Sequence, residues 1–492
     1  MKVKMILPAL IEATGICRRT SKYKRFPPLG LATLAGYLSP DAEIDLQDEH
    51  VEGLTLDDHP DLVVIEAYVT SAYRSYEIAD HYRRKGCHVC MGGLHPTSLP
   101  REASQHADSI FLGPGEDTWP RFLRDFAAGR PRRVYRSTHR SLLGAPPPRR
   151  DLIKKHLYLL PNTLVVSRGC PHHCDFCYKD GFFRGGKSYY AMAVDEALAE
   201  IDRLQGKHLC FLDDNLLADA RFAGDLFDGM SGMGRVWIGA GTVGAVLNQP
   251  RLIEKAVQSG LRSLFIGFET LSSISLASVR KYHNLNADYN EVIRRLHGLG
   301  VMVNASLVFG LDGDDPSVFD ATVEWLVTQG VESATFHILT PYPGSALYQR
   351  MEAEGRILSR NWSLYDTRHA VFQPAGMSVA QLEEGYWRAN RNFGAWTSIL
   401  RSAATKGTWH DRLRHLVMAA GMRHFNFLWA GLSRAKRISR MIPLLESLLE
   451  GFGKYPPKTA VSLAPEHCST EEGRLLKSIL PQRHNLQPLE RI

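Results

Sequence analysis

The segment LVVSRGCPHHCDFCYKDGFF (164–183) carries a β-rich apolar run straight into Cys170-x3-Cys174-x2-Cys177. Three of the eight cysteines of a 492-residue chain thus fall within eight positions, a density that favours a metal over disulfides. A [4Fe-4S] cluster normally takes a thiolate on each iron. Three cysteines on one loop therefore leave one iron with an open position. The alternative on these residues is a closed Cys3His zinc site that recruits His172 or His173. A zinc knuckle, however, requires neither a strand before it nor a series of βα units after it.

Such a series follows. Strand candidates at 209–215, 236–242, 263–269, 302–310 and 333–341 alternate with helical patterns such as AVDEALAEIDRL and NEVIRRLHGLG. Together with 164–169 they make six βα units, which predicts a partial (β/α)6 barrel whose chemistry sits at the C-terminal strand ends. Asp213 and Asp214 close the second strand, Glu269 the fourth, and Gly310 lies in SLVFGLDGDDPS at the end of the fifth. Each acid serves equally well as the N-cap of the next helix. Before the barrel, residues 1–126 alternate short apolar runs (VKMIL, EIDLQ, DLVVIEAYV, CHVCMGG, SIFLG) with helical stretches. This predicts an α/β, doubly wound, Rossmann-like domain that binds ligand at its carboxyl strand ends. Residues 127–160, rich in Arg and Pro without an apolar period, read as a linker. The barrel spans 161–342, and 343–492, where strand signals stop, reads as mainly helical.

A content of 44% hydrophobic and 23% charged residues excludes a disordered tail and allows several buried cores. No run reaches the roughly 18–20 apolar residues of a membrane span. The opening MKVKMILPAL shows no signal-peptide pattern, so a reducing, cytoplasmic location is expected. The net charge of +7 is uneven: residues 127–150 carry +7 and 401–440 carry +8, which leaves the rest at −8. Leu413, Leu416, Val417 and Ala420 recur on one helical face, and Arg434, Lys436, Arg437 and Arg440 follow. That pattern suits a helical cap on the barrel, or a weak contact with an anionic membrane surface.

The cysteine segment resembles the signature of the radical S-adenosylmethionine (SAM) superfamily, C-x3-C-x-aromatic-C, with Phe176 in the aromatic place. The resemblance implies that SAM chelates the open iron. One electron from an external reductant of flavodoxin or ferredoxin type then cleaves it to methionine and a 5'-deoxyadenosyl radical. It also implies SAM contacts from Phe176, Tyr178, Asp213, Asp214, Glu269 and Gly310, while Ser306 departs from the glycine of many relatives.

The N-terminal region is similar to the cobalamin-binding domain fused to one branch of this superfamily, through RFPPLGLATLAGYL (25–38), GGLHPT (92–97) and GPGEDTWPRF (113–122), with WSLYD (362–366) in the tail. This similarity implies cobalamin contacts from Thr70, Ser71, Gly92, Gly93, His95, Thr97, Gly113, Gly115 and Glu116. Asp48-x-His50-x-x-Gly53 matches the pattern by which other cobalamin proteins supply a lower histidine ligand, but here it follows the second strand instead of the first. Tyr68, Val69 or Tyr73 are the alternative occupants of that face. Cys87 and Cys90 read as buried small residues, and a second cluster with Cys17 has the wrong spacing.

The resemblance covers nearly the whole chain. It implies a cobalamin-dependent C-methyltransferase that acts on an unactivated carbon of a small-molecule or lipid-like substrate, with no specific nucleic acid. A cyclase or rearrangement enzyme with a non-methylating cobalamin is the alternative. A non-catalytic iron-sulfur protein would need no six-strand barrel.

Overall fold

The structure, a computed structural model, describes residues 1–10, 25–424 and 441–451. They belong to one unit, Met1–Tyr455; a second, 456–492, lies outside the described residues.

The N-terminal sheet contains β1 (Lys2–Leu7), β2 (Glu43–Asp48), β3 (Leu62–Glu66), β4 (His88–Gly92), β5 (Ser109–Leu112) and β6 (Val134–Arg136). All pair in parallel, in the order β2-β1-β3-β4-β5-β6. Helices cover both faces, so the central strands are continuously apolar: Leu62, Val63, Val64 and Ile65 are all buried. Lys4 is buried within β1 and is tolerated because its ammonium meets Asp45 at 2.9 Å and Asp58 at 2.7 Å. From β1 the chain moves first to one side, to β2, and then to the other, to β3. That reversal opens a crevice at the carboxyl strand ends.

The stretch expected to be a linker is partly sheet. Tyr135 of β6 is buried, stacks on Phe111 at 5.3 Å and donates its hydroxyl to Asp125 at 2.9 Å. A three-residue edge strand with one inward side chain has no period to reveal it.

The expected strand at 164–169 is split. β7 (Thr163–Leu164) joins the barrel, whereas β8 (Ser167–Gly169) pairs antiparallel with β9 (Tyr189–Ala191). The other barrel strands are β10 (His208–Phe211), β11 (Val236–Gly241), β12 (Leu261–Glu269), β13 (Met302–Phe309) and β14 (Ser333–Ile338). They form a parallel sheet in the order β14-β13-β12-β11-β10-β7, so the six-unit expectation holds. Asp213 causes the split: its carboxylate accepts from the Ser167 N–H at 2.5 Å, the Ser167 hydroxyl at 2.7 Å and the Val166 N–H at 3.2 Å. A side chain thus replaces the ladder partner and turns the chain toward the cysteines.

Helices Val379–Gly394 and Trp396–Ala404 pack beside Val318–Thr328, and Trp409–Arg423 packs on Trp396–Ala404. In Trp409–Arg423 the inward residues are His415, Met418, Ala419 and Ala420; Leu413 and Val417 of the expected apolar face are exposed. The small Ala419 and Ala420 allow close approach. Arg434, Lys436, Arg437 and Arg440 lie outside the described residues. No described helix is long and apolar enough to cross a membrane.

Candidate active site

Gly169 admits the chain to the cysteine loop at φ +81°, and a Cβ there would lie 1.9 Å from the Ser188 carbonyl oxygen. Cys170 donates its N–H to that same carbonyl at 3.0 Å. Asp175 staples the loop to later parts of the barrel: its N–H donates to the Val279 carbonyl and its own carbonyl accepts from the Leu347 N–H, both at 3.0 Å. The Asn215 amide donates to Cys170 Sγ at 3.6 Å. Burial pushes the Cys174 thiol up to about 11 and the Cys177 thiol up to about 12. Such thiols ionise when a metal restores the positive charge that burial withholds.

Among the described residues no three His, Cys, Asp or Glu side chains gather as on a single ion. The fit of a cluster therefore rests on the donors, three soft thiols on one short loop. The histidines of the zinc alternative are engaged elsewhere: His172 stacks on His283 at 3.7 Å, and His173 lies 3.1 Å from Asp180.

The strand-end acids divide. Asp213 is consumed in turning the chain, and burial pushes its carboxyl up to about 7. Asp214 faces the cysteine loop, where it accepts from the Gly169 N–H at 2.8 Å and from the Tyr178 hydroxyl. Glu269, at φ +65°, meets Lys281 Nζ at 2.5 Å. Burial, the largest single influence, would lower that ammonium, but the Glu269 carboxylate together with Cys174 and Cys177 holds it above its ordinary range. Gly310 is required by its φ of +91° and by Leu382, 2.8 Å from where a Cβ would stand. Asp314 closes the turn by accepting from the Gly310 and Leu311 N–H groups at 3.0 Å. Phe176 packs against the barrel core, and Ser306 pairs with Gly267 and Thr335 across the sheet.

Opposite, a cleft of about 120 Å³ is lined by Gly92, Gly93, Gly113, Gly115 and Glu116, with Gly30, Glu66, Arg168 and Phe182. Gly93 sits at φ +111°, and its Cβ would lie 2.8 Å from the Ala67 carbonyl oxygen. Other residues expected at the cofactor face the protein. Thr97 donates to the Gly93 carbonyl at 2.8 Å and accepts from the Gly113 N–H at 2.9 Å, so it ties the two glycine turns together. Ser71 closes the turn after β3 by accepting from the Tyr68 N–H at 3.2 Å, with Thr70 half-buried beside it.

His95 is fully buried, with its Nε2 2.5 Å from the Tyr76 hydroxyl. Glu102 receives both that hydroxyl at 2.9 Å and the Trp362 indole N–H at 3.0 Å. WSLYD of the tail therefore packs on the N-terminal domain. His50 follows the edge strand β2, its Nδ1 2.9 Å from Asp48, and is not among the residues that line the cleft. Cys87 and Cys90 are buried, and Cys17 lies outside the described residues.

Two residues with no sequence motif also belong here. Glu66 ends β3 in the cleft, where burial raises its carboxyl and the Tyr68 hydroxyl donates to it at 3.2 Å. Arg168, two residues before Cys170, meets Glu116 at 2.5 Å and so joins the barrel to the GPGE loop.

The sequence profile of the radical SAM superfamily matches residues 164–326. A bacteriochlorophyllide d C-12(1)-methyltransferase of Chlorobaculum tepidum is 29% identical over 76% of this chain and 84% of its own. The hopanoid C-3 methylase of Methylococcus capsulatus is 26% identical over 75% and 76%. An anaerobic magnesium-protoporphyrin IX monomethyl ester cyclase of Rubrivivax gelatinosus is 22% identical over 77% and 76%. The solved structure of TsrM from Kitasatospora setae, a radical SAM methyltransferase with cobalamin and a [4Fe-4S] cluster bound, superimposes with a TM-score of 0.61 at 13% identity. It covers 90% of this chain and 99% of that one. With the signature loop on a six-strand barrel behind a doubly wound sheet, residues 164–326 carry the radical SAM superfamily domain, and the chain as a whole shares the fold of that solved methyltransferase structure.

Proposed function

We propose that this chain is a cobalamin-dependent radical SAM methyltransferase acting on an unactivated carbon of a small molecule. The observation that carries it is the junction of the two sheets. The glycine-lined cleft and the cysteine loop share a wall, because Phe182, five residues after Cys177, lines the cleft and Arg168 bridges to Glu116. Bound there, the cluster with SAM would supply a 5'-deoxyadenosyl radical and cobalamin the methyl group, with electrons from a flavodoxin- or ferredoxin-type donor.

The chain's own part is to hold the two in register. Cys170, Cys174 and Cys177 would bind three irons. Asp214, through Gly169 and Tyr178, fixes the loop that carries them. The Glu269–Lys281 pair places a buried charge of each sign at the barrel mouth, suited to a zwitterionic amino acid moiety. Gly92, Gly93, Gly113 and Gly115 would let a broad, flat ligand approach the backbone. Methylating relatives of two substrate classes support methyl transfer over cyclisation.

The reading is tested on anaerobically reconstituted protein, which should show a cobalamin absorbance spectrum and form both 5'-deoxyadenosine and S-adenosylhomocysteine. Deoxyadenosine alone would replace methyl transfer with rearrangement. A weak membrane-surface contact extends the proposal. Trp409, Leu413 and Val417 recur at helical spacing and are 67%, 44% and 42% exposed, so sedimentation with anionic vesicles should be seen at low salt and fade at high salt.

A further inference from the structure

A second opening, of about 200 Å³, lies on the rim of the cleft where the N-terminal sheet meets the cysteine loop. Leu112, Gly113 and Arg136, at the ends of β5 and β6, form its sheet side. Gly181, Phe182 and Arg184, just after the cysteines, form the other. Gly113 and Phe182 line both openings, so the second is continuous with the cleft wall.

Its lining contains two arginines and no acid. Among the described residues, neither the Arg136 nor the Arg184 guanidinium has an ion pair or a hydrogen bond. A third arginine fixes their separation. Arg140 is 7% exposed and donates to the carbonyls of Ser137 at 3.3 Å, Arg184 at 2.9 Å and Lys187 at 2.9 Å. The backbone beside Arg136 is thereby tied to the backbone of Arg184 by a cation whose hydrogen bonds go to carbonyl and hydroxyl oxygens, with the Asp117 carboxylate acting on it at longer range. Two like charges on the wall of one small opening repel each other, and an anion between the two free guanidinium groups relieves that. Their planar forks match the oxygens of a carboxylate or phosphate.

We propose that this opening is an anion subsite that holds a carboxylate or phosphate group of the substrate while the reacting carbon lies between the cysteine loop and the glycine-lined cleft. The inference rests on the function proposed above, which assigns the cleft to the cofactor and leaves its rim to the substrate. It narrows the substrate to acidic small molecules as opposed to neutral hydrocarbons. Cobalamin's own nucleotide phosphodiester offers the same anionic chemistry, so the two sources have to be separated.

Calorimetric titration of the reconstituted full-length chain with inorganic phosphate and with succinate tests the subsite without turnover. Both anions are expected to bind. Replacing Arg136→Gln together with Arg184→Gln should weaken both at least about ten-fold, the worth of one charge-assisted hydrogen bond. The charge-keeping pair Arg136→Lys with Arg184→Lys should recover part of the loss, which separates lost charge from lost folding. Equal binding by wild type and the glutamine pair, or no binding by wild type, overturns the proposal. Absorbance titrations with cobalamin and with cobinamide, which lacks the nucleotide phosphate, identify the source. If the glutamine pair selectively loses affinity for cobalamin, the subsite belongs to the cofactor and the substrate assignment falls; if the ratio of the two affinities is unchanged, the assignment stands. Failure of the underlying function shows separately, as wild-type protein that binds phosphate yet forms no 5'-deoxyadenosine, and that result also removes the substrate assignment.

Discussion

The two parallel sheets obey the same rule of placing ligands at carboxyl strand ends, yet they present opposite chemistry there. β4 and β5 of the N-terminal sheet run into Gly92, Gly93, Gly113 and Gly115, so bare backbone faces the cleft. β10 and β12 of the barrel lead into Asp213, Asp214 and Glu269. Glycine gives a wide planar molecule access to main-chain groups. The strand-end carboxylates instead hold the loop, as Asp213 and Asp214 do, or pair with a buried cation, as Glu269 does with Lys281. The lesson is a division of labour: open backbone at the ends of β4 and β5, thiols and carboxylates at the barrel mouth, with Arg168–Glu116 as a bridge between them.

The strongest way to break this contrast is at the metal side. Cys174→Ala is expected to abolish 5'-deoxyadenosine formation while circular dichroism stays unchanged, since the loop is also held by main-chain bonds of Asp175. Deoxyadenosine at the wild-type rate would remove the cluster assignment. The bridge comes next. Arg168→Met leaves Glu116 buried without its partner, and urea denaturation should show a loss of about 3 kcal/mol, at the low end for a buried pair because Arg168 is partly exposed. An unchanged midpoint would mean that the pair does not join the two sheets.

On the shape side, Gly93→Ala forces a side chain into φ +111° against the Ala67 carbonyl. A destabilisation of about 2 kcal/mol is expected, with weaker cobalamin binding by equilibrium dialysis. Gly53→Ala is the control, since a Cβ there meets nothing within 4 Å. If the two variants behave alike, close backbone approach is not what the glycines provide. The smallest effect is expected at His50→Ala, which should leave the cob(II)alamin paramagnetic spectrum unchanged because His50 lies off the cleft, against Asp48. Loss of nitrogen hyperfine splitting in that variant would make His50 the cobalt ligand after all.

Much of the fold is legible in the amino-acid sequence. Six barrel strands and five of the N-terminal strands stand out as apolar runs because both faces of a parallel sheet are covered. β6 does not, since only Tyr135 of its three residues turns inward. The break between β7 and β8 is equally silent, because Asp213, 46 positions after Ser167, makes it. Of the expected cobalamin contacts, the glycines line the cleft while His95 and Ser71 turn into the protein. A glycine is recognised by the backbone geometry it allows, whereas a polar side chain near a loop can face either way.

The sequence by itself determined the features that local signals encode: strand and helix alternation from hydrophobic period, and a three-thiol metal loop from cysteine spacing. Tertiary structure alone decided which distant groups meet. Glu102 receives the Trp362 indole 260 positions away, Asp214 receives the Tyr178 hydroxyl 36 positions away, and Arg140 reaches the Arg184 carbonyl 44 positions away. Hydrophobic period and spacing act between near neighbours along the chain. Ion pairs and hydrogen bonds act between neighbours in space, and in a parallel sheet those are chosen by the crossovers that bring separate strand ends side by side.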